Sequence, residues 1–157
     1  MQWSEQLIQC ALTREPSGVF GFLRYNCIPN VKWSFFRDSQ EADLLCFGKS
    51  GVLHNIEIKI STQDLRADLA KRHKHYDRRV KHLWFAVPET LVPYALETIP
   101  EKSGLISVAE NLKTKIIRRP KPNNDPYYRK PTQEELYNLL RAGTMRMWSQ
   151  LQRSLTK

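Results

Sequence analysis

The side chains best equipped for chemistry lie in Glu41-Ala42-Asp43-Leu44-Leu45-Cys46-Phe47 and, after a turn, in Ile56-Glu57-Ile58-Lys59-Ile60-Ser61. Side chains alternate along a strand, so Ile56, Ile58 and Ile60 point to one face while Glu57, Lys59 and Ser61 point to the other. Three apolar residues enter a core, and a carboxylate, an amine and a hydroxyl share the opposite surface. A three-residue Lys49-Ser50-Gly51 loop sets the pairing, with Gly51 in the left-handed position that a type I turn plus bulge requires. That register puts Asp43 across from Glu57 and Glu41 across from Lys59, all on one face. A two-residue Ser50-Gly51 loop would turn Asp43 to the other side.

Directly opposed carboxylates repel unless something neutralises them. A hard divalent cation, Mg²⁺ or Mn²⁺, is the natural counter-charge, since it takes oxygen ligands and keeps waters beside one or two carboxylates and a substrate phosphate. The expected metal set is Asp43, Glu57 and Ile58. Lys59 beside it would orient or activate a water and steady charge developing on the phosphate. The plainer alternative is a pair of solvated strand carboxylates with Lys59 as an ion-pair partner, because short Asp…Glu-x-Lys patterns arise by chance.

Several elements must position these residues. Leu7, Ile8, Ala11 and Leu12 recur at helical spacing after Ser4 and predict a first helix over 4–13. Residues 31–36, 42–47 and 52–60 are rich in β-branched and aromatic types, with Pro29-Asn30, Arg37-Asp38-Ser39 and residues 48–51 as punctuation, and predict a three-strand meander. Over 62–80 the spacing becomes helical, with Leu65, Leu69, Tyr76 and Val80 on one stripe. A strand over 82–87, a helix over 91–99 and a strand over 104–108 follow. The expectation is an α/β fold, a mixed α+β sheet flanked by helices.

Residues 118–131 contain four prolines among Lys, Arg and Asn, a linker composition, so the compact domain is expected to span 1–118 and the linker 119–131. Residues 132–157 open with a Thr132/Glu135 capping box and continue as an amphipathic helix. Packing back on the parent domain is the favoured role of this helix, ahead of a dimerisation or DNA-clamping arm.

The chain has 157 residues, enough for one domain with a tail, and a formal charge of +9, which attracts polyanions. Nucleic acid leads as partner, with solubility alone as the alternative for the charge. Cys10, Cys27 and Cys46 are odd in number and widely spaced, and suggest neither a disulfide framework nor a zinc knuckle. The N-terminus has no basic region followed by an apolar run, and no stretch approaches about 18 apolar residues. A cytoplasmic protein without membrane contact is expected.

Taken in order, Glu41-Ala42-Asp43-Leu44-Leu45, Ile56-Glu57-Ile58-Lys59 and the Ser61, Asp64, Asp68 series resemble the PD-(D/E)XK nuclease superfamily, and more narrowly the MmcB-like DNA repair proteins. Lys71 and Tyr76 match the lysine and tyrosine of that group's helix, and Ala86-Val87-Pro88 and Gly104-Leu105-Ile106 match two strands that follow it. The resemblance covers residues 1–118; it departs at Leu65, where an aromatic is expected, and in the basic, proline-rich extension. It implies a restriction-endonuclease-like core, to which this chain adds the C-terminal helical extension. Through relatives such as Holliday-junction resolvases it also offers a helical acid, Glu5, as an accessory metal ligand, with a solvated surface acid as the favoured alternative.

Glu41, Ser61 and Asp64 complete the accessory candidates. Asp64, Asp68, Lys71 and His75 fall along one polar stripe of the central helix, where Asp64 also suits the helix dipole. Lys71, Arg72, Lys74 and Tyr76 are the expected nucleic-acid contacts, phosphates above all. His73 and His75 point about 200° apart on a helix and do not share a metal. Trp3, Trp33, Trp84 and Trp148 are expected in the core, while Tyr127-Tyr128 before Arg129-Lys130 could meet exposed nucleic acid.

The function expected is a metal-dependent DNA endonuclease that hydrolyses phosphodiester bonds in DNA repair, recombination or mobile-element processing. The alternatives are a non-catalytic DNA-binding or assembly module on a nuclease fold, or a nuclease directed at RNA. One metal face per chain implies that cutting both strands needs a homodimer or two encounters.

Overall fold

The computed structural model describes residues 1–32, 41–70 and 77–156. Ser4 Oγ accepts from the Leu7 N–H at 3.2 Å and opens α1 (Glu5–Thr13), whose Ile8, Ala11 and Leu12 are buried. Six strands follow: β1 (Asn26–Val31), β2 (Ala42–Phe47), β3 (Leu53–Ile58), β4 (Val80–Pro88), β5 (Gly104–Val108) and β6 (Thr114–Arg118). Between them lie α2 (Thr62–Leu69) and α3 (Val92–Thr98), and α4 (Gln133–Leu155) ends the chain. The strands form one sheet in chain order, antiparallel from β1 to β3 and again between β5 and β6, and parallel across β3, β4 and β5. This is the mixed α/β architecture expected, with a restriction-endonuclease-like core.

Alternation sorts the strand residues between two helical layers. Leu44, Cys46, Ile56, Ile58, Trp84, Ala86, Ile106 and Val108 pack with α1 and Phe20 on one face. On the other face Leu65 and Ala95, from α2 and α3, cover Phe85, Val87 and Leu105. Leu136 and Leu139 of α4 cover Ile28, Leu45, Phe47, Leu53 and Val80 on that same side. The last helix therefore packs back on the sheet through its first half.

The hairpin between β2 and β3 forms in the expected register. Gly51 N–H donates to Gly48 C=O at 3.1 Å, Gly51 has φ +70°, and Leu44 faces Ile56 while Phe47 faces Leu53. The expected pairing of Glu41 with Lys59 does not form. The described pairing ends at Leu44 and Ile56; Glu41 meets Lys32 at 3.0 Å, and the Lys59 N–H donates across to Ala86 of β4 at 3.1 Å.

Other boundaries differ for physical reasons. The first strand runs over Asn26–Val31 and includes Pro29-Asn30, because β1 is an edge strand where a missing N–H is harmless. Asn30, with φ 50°, takes the left-handed conformation that asparagine tolerates. Residues 33–36, expected to continue that strand, and Trp33 among them, lie outside the described residues. The central helix is described only to Leu69, and Val80, expected on its apolar stripe, instead opens β4. The strand β6 was not foreseen; its Lys115 and Arg118 suit a charged sheet edge. Ile60 is 37% exposed because it lies past the end of β3. Trp84 is in the core and Trp3 packs against it, but Trp148 is 57% exposed on the distal half of α4.

Candidate active site

The end of β3 brings Glu57 and Lys59 beside the start of β2, which carries Asp43. The Asp43 Oδ2 accepts from the Ile58 main-chain N–H at 2.7 Å. The Lys59 ammonium lies 4.0 Å from Asp43 Oδ2, 3.4 Å from Glu57 Oε2 and 3.2 Å from Asp68 Oδ1. Strand alternation aims Glu57 and Lys59 at the layer containing α2, and one turn of that helix past Asp64 delivers Asp68 to the same amine. Glu57 is only 3% exposed, so this carboxylate is enclosed where a solvated strand residue would be open.

Electrostatics follow from the burial. Desolvation, then the neighbouring Glu57, push Asp43 up to about 7, against the opposing influence of the Ile58 hydrogen bond and Lys59. Burial pulls Lys59 down, but Glu57, Asp43 and Asp68 outweigh it, and the ammonium is held above the ordinary lysine value. Burial and the nearby Glu41 raise Glu5, so this helical acid borders the cluster.

Two buried amides, both missed from sequence, hold the cluster in place. Asn55 Nδ2 donates to Glu57 Oε1 at 3.3 Å, leaving Oε2 toward Lys59, while Asn55 Oδ1 is buried and meets no hydrogen-bond partner among the described residues. Gln9 Nε2 lies 2.8 Å from the Asp43 C=O, 2.9 Å from Asn30 Oδ1 and 3.3 Å from Glu5 Oε1, tying α1 to β1 and β2. The alternation that marks Glu57 also marks Asn55 two residues earlier, and Gln9 follows Glu5 by one helical turn. Asp68 is the third addition: it belongs to the Ser61, Asp64, Asp68 series, but its spacing does not show that it meets Lys59.

Ser61 and Asp64 are occupied at the start of α2. Ser61 Oγ accepts from the Asp64 N–H at 3.1 Å, and Asp64 Oδ2 accepts from the Ile60 N–H at 3.3 Å, a reciprocal helix cap. Lys71, Arg72, Lys74 and Tyr76, with His73 and His75, lie outside the described residues. Tyr127 and Tyr128 lie at the opposite end of the sheet from Asp43.

Among the described residues no three His, Cys, Asp or Glu side chains converge as a ready metal cage. The oxygen set of Asp43, Glu57 and the Ile58 carbonyl still suits a cation of the Mg²⁺ type, which takes one or two carboxylates and fills its other positions with water and phosphate. Burial first, and then the neighbouring Glu57, raise Asp43 to about 7, and such a cation would relieve the second of these.

A family model described as DNA repair protein MmcB-like matches residues 3–149, nearly the whole chain, and the protein belongs to this family within the PD-(D/E)XK superfamily. The match runs well into α4, so the C-terminal extension belongs to the family's pattern. A DNA-repair-related role follows, with DNA as the partner it points to. One solved structure, a protein of unknown function from Silicibacter pomeroyi, SPO1766, is similar at 19% identity and a TM-score of 0.58, covering 83% of this chain and 80% of its own. At that identity the likeness concerns the fold alone. No curated protein matches the chain. No helix among the described residues is long and apolar enough to cross a membrane.

Proposed function

We propose that the protein is a metal-dependent endonuclease that hydrolyses phosphodiester bonds in DNA undergoing repair. The observation that carries this reading is the convergence of Asp43, Glu57 and Lys59, from two strands, with the ammonium 4.0 Å from one carboxylate and 3.4 Å from the other. Asp43, Glu57 and the Ile58 carbonyl would hold Mg²⁺ or Mn²⁺, which when bound supplies charge neutralisation at the scissile phosphate and lowers the pKa of water.

The chain's own groups account for the rest. Ile58 N–H and Gln9 fix Asp43, and Asn55 fixes Glu57, so neither carboxylate must reorganise as substrate arrives. The Lys59 Nζ can donate to a phosphate oxygen or to the attacking water, once it turns from Asp68. Glu5, raised by burial, stands ready as an accessory acid at the rim.

Incubation of single-stranded, duplex, flapped and branched DNA with Mg²⁺ or Mn²⁺ tests the proposal. Metal-dependent nicking that disappears in Asp43→Asn, Glu57→Gln and Lys59→Ala is expected, and binding without nicking on every substrate would overturn it. One observation favours a non-catalytic DNA-binding module instead: Lys59 is nearer to Asp68, at 3.2 Å, than to either proposed metal ligand. Ribose and deoxyribose substrates of one sequence separate DNA from RNA as the target.

A further inference from the structure

One basic segment of the chain lies away from the acidic cluster. Positions 118 to 130 hold five Lys and Arg residues against one acid, Asp125. This stretch begins in β6 and continues as an extended strap across the end of the sheet where β3, β4 and β5 begin. Its course is fixed by main-chain contacts: Lys121 N–H donates to Lys102 C=O at 2.9 Å, Asn123 N–H to Lys81 C=O at 2.8 Å, and Arg129 N–H to Arg78 C=O at 3.0 Å. Asn123 Nδ2 adds a bond to Val80 C=O at 3.1 Å, and Lys130 Nζ reaches Ser50 C=O in the β2–β3 turn at 3.2 Å.

The strap gathers cations from neighbouring segments onto this pole. Arg78, Lys102, Arg119 and Lys49 are exposed, and among the described residues they make no ion pair. Beside them Asp125 accepts from the Tyr127 N–H at 2.7 Å, in a turn that leaves the Tyr127 ring 78% exposed. Tyr128 is engaged differently, under the Lys81 ammonium 4.2 Å from its centroid. Exposed cations with no ion pair among the described residues, along a strap that also carries an uncovered aromatic ring, match a phosphate backbone whose bases can stack.

We infer that this basic pole is a second DNA contact, separate from the candidate active site, which holds a single strand through Arg78, Lys102 and Arg119 with a base against Tyr127. The two places stand at opposite ends of β3, whose six residues span about 20 Å. A single strand is favoured over duplex because stacking on Tyr127 needs an unpaired base. The acidic cluster repels phosphate until it is neutralised, whereas this pole attracts it directly, so the strand is captured here first.

The test is fluorescence anisotropy with a labelled single-stranded oligonucleotide across a salt series, in EDTA so that cleavage plays no part. The triple variant Arg78→Ala/Lys102→Ala/Arg119→Ala should bind at least tenfold more weakly. Its plot of log affinity against log salt should be shallower by about 2, at roughly 0.7 for each lost single-strand phosphate contact. A control of equal charge change, Arg14→Ala/Arg141→Ala/Arg153→Ala, should stay within about twofold of wild type, as exposed cations elsewhere make no lasting phosphate contact. Tyr127→Ala should weaken binding severalfold and Tyr127→Phe restore it. An equal loss in both triples would reduce the effect to net charge and overturn the inference. So would binding to phosphatidylserine vesicles that the first triple abolishes while DNA binding survives.

Discussion

The Asp43 carboxylate is tied to the Ile58 main chain at 2.7 Å, yet it stands up to about 7 because it is enclosed beside Glu57. An acid whose folded pKa is raised from 3.8 binds more protons folded than unfolded between these values, so stability falls as the pH rises through that window. Asp43→Asn keeps an acceptor for Ile58 and removes the charge. It should be more stable than wild type at pH 8, by on the order of 2 kcal/mol, as a discounted share of a shift near three units. The advantage should vanish below pH 4. Urea denaturation at the two pH values measures it, and a difference that is constant with pH would contradict the raised Asp43.

Lys59 is buried against Glu57, Asp43 and Asp68, so its removal strands carboxylates that burial already penalises. Lys59→Met should cost about 3 kcal/mol at neutral pH, the usual consequence of breaking a buried charged cluster. The loss should shrink in Lys59→Met/Asp68→Asn, and shrink again near pH 5 as Asp43 stays protonated. Additive losses in the double variant would mean that Lys59 and Asp68 act independently.

How much of this was legible in the sequence depends on range. The Gly51 loop is local, and its turn chemistry set the register of β2 and β3 and so put Asp43, Glu57 and Lys59 in one place. Asp68 was visible as part of the Ser61, Asp64, Asp68 series and of a helical stripe, but its meeting with Lys59 was not, because the way α2 packs on the sheet is a long-range outcome that spacing does not encode. Gln9 was hidden for the same reason: its partners Asn30 and Asp43 are 21 and 34 residues away. The strand β6 escaped because a charged, five-residue edge strand has little apolar alternation, and β1 escaped because Pro29 is punctuation everywhere except at a sheet edge.

Asn55 donates to the Glu57 oxygen that faces away from Lys59. If Glu57 holds metal, Asn55 is a positioning residue, and Asn55→Ala should raise the Mg²⁺ concentration for half-maximal cleavage by about tenfold, as loss of an outer hydrogen bond commonly does. Saturating Mg²⁺ should recover most of the rate, and Asn55→Gln should recover less than the wild-type contact. A variant that loses rate equally at every Mg²⁺ concentration would assign Asn55 a purely structural role.

Glu135 connects the strap to α4. Its carboxylate accepts from Arg129 at 2.7 and 2.8 Å, from Arg79 at 3.1 Å and from the Thr132 N–H at 2.8 Å, completing the capping box. Arg129 first of all, against a smaller opposing burial, holds Glu135 at about 2, well below the ordinary 4.5. The folded state therefore binds fewer protons here, and this stabilisation is present above pH 4.5 and lost as the pH falls toward 2. Glu135→Ala should cost about 1–2 kcal/mol at pH 7, because a cap and charged hydrogen bonds disappear together. It should also expose the strap. Hydrogen exchange at the Asn123 and Arg129 amides, which bond to Lys81 and Arg78, should speed up in the variant while the β3 amides stay protected. Unchanged exchange at those two amides would mean that the strap is held by its own main-chain contacts and owes nothing to the helix cap.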